Sequence, residues 1–123
     1  MPSVLLVEDS PSMRSLILLA LRRIEGVTVV EVEDGMEATT KLKEAHFDLV
    51  LTDLIMPVMD GMKLIHWMRT DGGQRTVPII VISTQASEED QRKAYEAGAT
   101  AFLTKPIRAP ELLEKVKELL GVV

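Results

Sequence analysis

Residues 47–61 read FDLVLTDLIMPVMDG, a short apolar run that ends in one carboxylate, Asp53, before a loop begins. A run that is apolar throughout is typical of a buried strand in a parallel sheet that has helices on both faces. Pro57 and the pair Asp60-Gly61 mark the loop that leads to the next helix. Because open α/β sheets bind their ligands beyond the carboxyl ends of their strands, we predict that the Asp53 carboxylate is chemically used.

The composition indicates one domain with an aliphatic core. The chain has 123 residues, of which 46% are hydrophobic and only 3% aromatic. This length is ordinary for one domain and long enough to bury a core, so we expect residues 1–123 to form a single unit. The last predicted helix is followed directly by the end of the sequence, so we expect no fused output domain.

Charge and cysteine content exclude several classes of function. The net charge of −5 argues against a nucleic-acid partner, because nucleic-acid-binding proteins present a basic face. The chain has no cysteine and therefore no disulfide, thiolate nucleophile or cysteine-ligated zinc. No secretory signal precedes the first strand, and no apolar run is long enough for membrane insertion. We expect a cytoplasmic protein.

Five apolar runs alternate with segments of helical periodicity. The other four runs cover residues 4–7, 27–32, 78–82 and 99–103, and they are rich in Val, Ile and Leu. Alternation of this kind predicts a doubly wound α/β fold with a five-stranded parallel sheet. The first helix shows the pattern well: Ser10-Pro11 is a helix start, Gly26 a stop, and an apolar stripe recurs between them. Its members are Met13, Leu16, Ile17, Ala20, Leu21 and Ile24.

Polar side chains stand at the ends of four of the five predicted strands. Those residues are Glu8 and Asp9 after the first, Asp53 after the third, Ser83 after the fourth and Lys105 after the fifth. The carboxyl ends of parallel strands meet at one edge of a sheet, so we expect these groups to converge. Glu31 and Glu33 on the second strand alternate with valines, which favours a solvated strand end over a place in the site.

Three carboxylates in one partly dry site repel one another unless a cation neutralises them. Oxygen ligands favour a hard ion, and Mg²⁺ suits a shallow site that also takes a phosphate oxygen. Lys105 adds a fixed positive charge, and Ser83 can donate a hydrogen bond to a phosphoryl oxygen. The pattern therefore predicts that Asp53 attacks a phosphoryl group and becomes an aspartyl phosphate.

From about Val4 to Leu120, the chain resembles the receiver domain of bacterial response regulators, and its size is similar to that of stand-alone, chemotaxis-type (CheY-like) receivers. The matching residues are Glu8, Asp9, Asp53, Ser83 and Lys105-Pro106, together with Met56, Pro57, Asp60 and Gly61 in the loop. The resemblance implies a flavodoxin-like fold with strand order 2-1-3-4-5. It also implies a phosphoprotein of a two-component phosphorelay, not an enzyme, that receives phosphoryl from a sensor histidine kinase or a phosphotransfer protein and acts on a downstream target protein.

The resemblance assigns roles to individual residues. It implies that the backbone carbonyl of Ile55 completes the metal site with Glu8, Asp9 and Asp53, and that the Lys105-Pro106 bond is cis. It further implies a switch in which the Ser83 hydroxyl moves inward on phosphorylation and Phe102 follows it.

The sequence departs from the family pattern at Ile55, where a polar side chain is common, at Thr84, where a small one is more usual, and at Phe102, which lacks a tyrosine hydroxyl. Ile55 and Gln85 flank the expected path of the hydrolytic water. We therefore expect these two residues to set the lifetime of the aspartyl phosphate.

Two alternative functions remain open at this stage. The first is a receiver-like interaction module that is never phosphorylated, although the residue types of the site are all present. The second is an aspartyl-nucleophile phosphatase, an enzyme class that also uses Asp and Mg²⁺. That class requires an acid two residues after the nucleophile, where this sequence has Ile55.

Overall fold

A computed structural model describes residues 2–56, 58–71 and 74–122; Pro57, which the sequence analysis places in the loop after the third strand, lies outside these ranges. Within them, five strands alternate with five helices. The strands are β1 (Ser3–Val7), β2 (Thr28–Val32), β3 (Leu49–Asp53), β4 (Ile79–Ser83) and β5 (Ala101–Thr104). The helices are α1 (Pro11–Leu21), α2 (Gly35–Glu44), α3 (Gly61–Thr70), α4 (Glu88–Ala97) and α5 (Ala109–Leu120). None of these helices combines the length and the apolar character needed to cross a bilayer.

The strands form one sheet in the order β2-β1-β3-β4-β5, and every neighbouring pair is parallel. The α/β class, the flavodoxin-like winding and the strand order predicted above are therefore confirmed. In this register Val7 lies beside Thr52, and Asp53 lies beside Ile82. The strands consequently end close to one another, so the residues that follow them share one edge of the sheet.

The sheet separates two apolar layers. β3 and β4 are buried along their whole lengths, as expected for strands that are covered on both faces. Alternate strand residues such as Val50 and Val81 pack with α2, α3 and α4, whereas their neighbours, such as Leu51 and Ile80, pack with α1 and α5. This packing makes the sheet a rigid support for the loops at its carboxyl edge.

The helices begin where the sequence indicates. The Ser10 hydroxyl accepts a hydrogen bond from the Met13 amide at 3.4 Å, and Pro11 is the first residue of α1. Ser87 and Asp90 form a reciprocal capping box at the start of α4.

The predicted extent of α1 and one member of its buried stripe were wrong. α1 ends at Leu21, with Arg22 as its C-cap, and the chain reverses at Gly26, where φ is +83°. Leu16 is 46% exposed. The buried stripe of α1 is narrower than the sequence pattern indicates, because Ile17, Ala20 and Leu21 are its buried residues and Met13 packs against the same layer only partly buried.

Gly61 allows the loop after β3 to return against the strand end. Its amide donates to the Leu54 carbonyl at 2.8 Å, and a Cβ at this position would lie 2.2 Å from the main-chain oxygen of Asp53. Main-chain atoms cannot move aside as a flexible side chain can. A methyl group here would therefore displace either α3 or the end of β3.

We expect Gly61→Ala to lower the free energy of unfolding by about 2 kcal/mol or more, as overpacking against fixed atoms does. Urea denaturation followed by circular dichroism measures this loss. Gly121→Ala is the matched control: its Cβ would meet nothing within 4 Å, although φ is +72°, and the cost of that left-handed backbone is about 1 kcal/mol. Equal losses in the two variants would contradict the close approach at Gly61.

Candidate phosphoacceptor site

Asp53 lies at the carboxyl end of β3 and is 8% exposed. Its Oδ1 accepts hydrogen bonds from the amides of Leu54 at 2.7 Å and Ile55 at 3.3 Å. Its Oδ2 accepts one from the Lys105 ammonium at 2.8 Å. The two main-chain donors and the lysine fix the orientation of the carboxylate at the edge of the sheet.

Glu8 follows β1 and is 1% exposed. Its Oε2 accepts from the Ser10 amide at 3.1 Å, and its Oε1 accepts from Lys105 Nζ at 3.0 Å. Burial raises the pKa of the Glu8 carboxyl above its ordinary value; the Ser10 amide and Lys105 offset part of this effect, and the charge of Asp53 adds to it. The protein therefore holds a carboxylate where its charged form is disfavoured.

Lys105 joins the two buried acids, and its side chain is 13% exposed. Burial by itself lowers the pKa of Lys105, but its hydrogen bonds and its attraction to Asp53 and Glu8 outweigh burial, so the net pKa is raised. The side chain consequently stays an ammonium ion at neutral pH. The Lys105-Pro106 peptide bond is cis.

Asp9 completes a group of three acids. Ligand oxygens of Glu8, Asp9 and Asp53 lie within 4.8 Å of one another, and Asp9 is exposed whereas the other two are buried. A donor set made only of oxygens, open to water on one side, fits Mg²⁺, which retains several waters and binds through few carboxylates. The residues present therefore fit the metal that the sequence predicts.

Ser83, Gln85 and Ile55 lie at or just beyond the carboxyl ends of β3 and β4. Ser83 is 1% exposed at the end of β4, and its Oγ accepts a hydrogen bond from the Gln85 amide at 3.0 Å. Ile55 is 53% exposed. A cavity of about 430 Å³ includes Ile55 and Gln85 in its lining. Ile55 and Gln85 thus line one cavity. Their role in phosphate lifetime and the role of the Ile55 carbonyl as a ligand stay predictions.

Phe102 lies apart from the acids. It is half-buried on β5 beside Val81 and packs against the apolar layer that includes α3 and α4. Its position is that of a partly covered core residue at the edge strand. Its role as a switch stays a prediction.

Sequence reasoning missed Arg14. Its Nη1 donates to the main-chain carbonyl of Glu8 at 2.8 Å, and its guanidinium lies 3.6 Å from Glu31 and 3.8 Å from Glu33. The two glutamates, which were expected to be only a solvated strand end, therefore hold a residue that contacts the site. The signal in the sequence is a basic residue one helical turn after the Ser10 cap. Its partner is a main-chain carbonyl, which every residue type has, so no partner side chain in the sequence points to the contact.

Comparisons with known proteins agree with this geometry. The sequence pattern of the response regulator receiver domain family matches residues 4–117. The gliding motility regulatory protein of Myxococcus xanthus is 40% identical over 110 residues, a match that covers 89% of this chain and 14% of that protein. This chain therefore corresponds to a small part of that relative.

Two solved structures are similar over nearly the whole chain. The chemotaxis response regulator CheY4 of Vibrio cholerae has a TM-score of 0.88 and 33% identity, with 97% of this chain and 98% of that one covered. The receiver domain of the sensor histidine kinase PA1611 from Pseudomonas aeruginosa has a TM-score of 0.88 and 32% identity, with 98% of both chains covered; its structure contains a magnesium ion coordinated in the active site cleft. With the match over residues 4–117, these likenesses show that the chain belongs to the family of response regulator receiver domains.

Proposed function

We propose that this protein accepts a phosphoryl group on Asp53 from a phosphohistidine of a sensor histidine kinase or phosphotransfer protein. The observation that carries the proposal is the convergence of Glu8, Asp9, Asp53 and Lys105 at one edge of the sheet. We place this activity in the cytoplasm and in one phosphoacceptor domain that spans residues 1–123. The protein acts as a signalling component and not as an enzyme.

The proposed reaction is an exchange of one bond to phosphorus for another. A carboxylate oxygen of Asp53 attacks the phosphorus atom, a P–O bond forms, and the P–N bond breaks with its electron pair returning to the imidazole nitrogen. The hydrogen bonds from Leu54 and Ile55 orient the attacking carboxylate. The Lys105 ammonium offsets charge on the transferred oxygens, and the Ser83 hydroxyl donates to one of them.

Mg²⁺ would be held by Glu8, Asp9, Asp53 and the Ile55 carbonyl, and when bound it supplies positive charge that offsets repulsion between the carboxylates and the phosphoryl oxygens. The burial of Glu8 supports this assignment. On its own, a buried carboxylate with a raised pKa lowers the stability of the folded protein. Binding a cation would offset this loss, and carboxyls with perturbed pKa values are typical of functional sites.

The output is a change in protein contacts. We propose that the Ser83 hydroxyl turns toward the phosphoryl group and that Phe102 repacks, which alters the surface of α4, β5 and α5 that meets a downstream target. Ser83 and Phe102 lie on adjacent strands, with Ser83 paired to Thr104 and Phe102 to Val81. A movement at the end of β4 is therefore passed to β5 through direct contact.

Phosphorylation is tested with acetyl phosphate and intact mass spectrometry. We expect the wild type to gain the mass of one phosphoryl group only when Mg²⁺ is present, and Asp53→Asn to gain none. Asp48→Asn is the matched control, since Asp48 precedes the same strand at the opposite edge and its loss leaves the site intact. Absence of an Mg²⁺-dependent adduct on the wild type would leave the interaction-module function, and rapid turnover of small phosphate esters would instead indicate a phosphatase.

The lifetime of the aspartyl phosphate depends on Ile55. Its exposed apolar side chain cannot hydrogen-bond a water molecule, so we expect the wild type to lose phosphate several times more slowly than Ile55→Asn. Decay of the adduct, followed by mass spectrometry after removal of the donor, gives the rate. Leu19→Asn is the control, because Leu19 is also an exposed apolar residue, at 65%, but lies on α1. Equal or faster decay in the wild type than in Ile55→Asn would reject the role of Ile55.

Glu8 illustrates a conflict between stability and binding. Because the pKa of Glu8 is raised in the folded protein, the folded state binds this proton more tightly than the unfolded state, and stability falls as the pH rises through the folded pKa. In Mg²⁺-free buffer at pH 7, Glu8→Gln should therefore raise the free energy of unfolding.

The gain should shrink as the pH falls and disappear below the ordinary Glu pKa of 4.5, as urea denaturation at a series of pH values would measure. Asp9→Asn makes the same change of charge at an exposed position and should give no comparable gain. The prediction concerns the free energy of unfolding of Glu8→Gln minus that of the wild type. A difference that falls as the pH rises from 4 to 7 would contradict it.

A further inference from the structure

Arg14 connects the end of β2 to the loop that carries two of the three acids. Its Nη1 donates to the Glu8 carbonyl at 2.8 Å, while its Nε lies 3.6 Å from Glu31 and its Nη2 lies 3.8 Å from Glu33. The Arg14 side chain is 17% exposed, compared with 40% and 68% for the two glutamates. The guanidinium is thus the covered centre of a contact between α1, β2 and the loop.

The main chain of Glu8 is held from two sides. Its amide donates to the Val32 carbonyl at the end of β2 at 3.1 Å, which continues the sheet by one residue. Its carbonyl, which comes after the last residue of β1, is bound instead by Arg14. A buried carbonyl needs such a partner, and without the guanidinium it would have to turn toward water.

The orientation of this carbonyl also sets the direction of Asp9. The Glu8 carbonyl and the Asp9 amide belong to one planar peptide group, so turning the carbonyl changes ψ of Glu8 and φ of Asp9 together. The Asp9 side chain is exposed. The place from which its carboxylate reaches the other two acids therefore follows the main chain that Arg14 holds.

We propose that Arg14 is a positioning residue for Mg²⁺: by holding the Glu8 carbonyl it keeps the Glu8 and Asp9 carboxylates convergent with Asp53. This inference rests on the proposed function, because it concerns the same metal site. Arg14 acts through Glu8 and Asp9 and contacts neither the metal nor the phosphoryl group.

The charge of Arg14 and its positioning role affect Mg²⁺ affinity in opposite directions, which makes the inference testable. Arg14→Gln removes a positive charge near the acids, and through electrostatics alone this change would tighten the binding of a cation. Loss of positioning weakens it. Partners of ligating groups typically contribute 10- to 100-fold to metal affinity, so we expect Arg14→Gln to weaken Mg²⁺ binding about 10-fold.

Isothermal titration of the full chain with MgCl₂ measures this affinity. Arg22→Gln is the matched control, because Arg22 is the exposed C-cap of the same helix, about 12 Å farther along its axis. It removes the same charge and should leave Mg²⁺ affinity unchanged or slightly increased. Arg14→Lys keeps the charge and one donor, and it should recover part of the lost affinity.

A second measurement needs no metal. Hydrogen exchange of the Ser10 amide, which is bound to Glu8 Oε2, should become faster in Arg14→Gln and stay unchanged in Arg22→Gln. Mg²⁺ affinity in Arg14→Gln that equals or exceeds that of the wild type would overturn the inference. Should Arg14→Gln unfold too readily to be titrated, Arg14→Lys decides: an affinity equal to that of the wild type would also overturn it.

The two proposals fail in different ways. A wild type that binds no Mg²⁺ and gains no phosphate would contradict the proposed function itself. A wild type that binds Mg²⁺ and is phosphorylated, with an Arg14→Gln variant that binds Mg²⁺ equally well, would contradict only the role of Arg14.

Discussion

The ammonium of Lys105 between the carboxylates of Glu8 and Asp53 is the interaction on which the site depends. Two buried acids at one edge of a sheet repel each other, and unit charges about 4 Å apart near a protein surface interact by about 4 kcal/mol. Lys105 reaches both acids, at 3.0 and 2.8 Å, and its charge offsets their repulsion. Burial, with a smaller contribution from the charge of Asp53, still raises the pKa of Glu8, so Lys105 and the Ser10 amide offset only part of the cost of placing this carboxylate here. The cost that remains is one that a cation at the proposed metal site would reduce.

The parallel sheet is what allows a site to be assembled from residues so distant in sequence. Each crossover helix returns the chain to the same end of the sheet, so β1, β3, β4 and β5 all deliver their last residues to one edge. The two apolar layers hold those strand ends in place. Rigidity at this edge would serve the proposed phosphoryl transfer, because such reactions depend mainly on positioning and electrostatics.

Much of this arrangement could be predicted from the sequence, because its signals are local. An apolar run followed by a polar residue marks both a buried strand and its carboxyl end, which is why Asp53, Glu8 and Lys105 could be placed together; their roles in phosphoryl transfer remain predictions. Arg14 could not be found in this way, since its partner is a main-chain carbonyl. The end of α1 could not be predicted from the apolar pattern either, because apolar spacing does not show how much of a helix the sheet covers.

The loop after β3 shows a further limit. Val58 has φ of +70°, a left-handed conformation that β-branched residues rarely adopt, and its side chain is 79% exposed. Neither packing nor intrinsic preference predicts valine there. Strain of this kind is concentrated at functional segments, and here it occurs in the loop that carries Ile55.

The contact between Lys105 and Glu8 spans 97 positions of the chain, which has a consequence for biosynthesis. The acids emerge from the ribosome long before the lysine does, so a nascent chain carries a cluster of negative charge without its internal counter-ion. β5 is the terminal strand of the sheet and pairs with β4. Opening of this edge would separate Lys105 from the acids while the rest of the sheet stays folded. The contacts of Lys105 with Asp53 and Glu8 are therefore complete only when β5 has docked against β4.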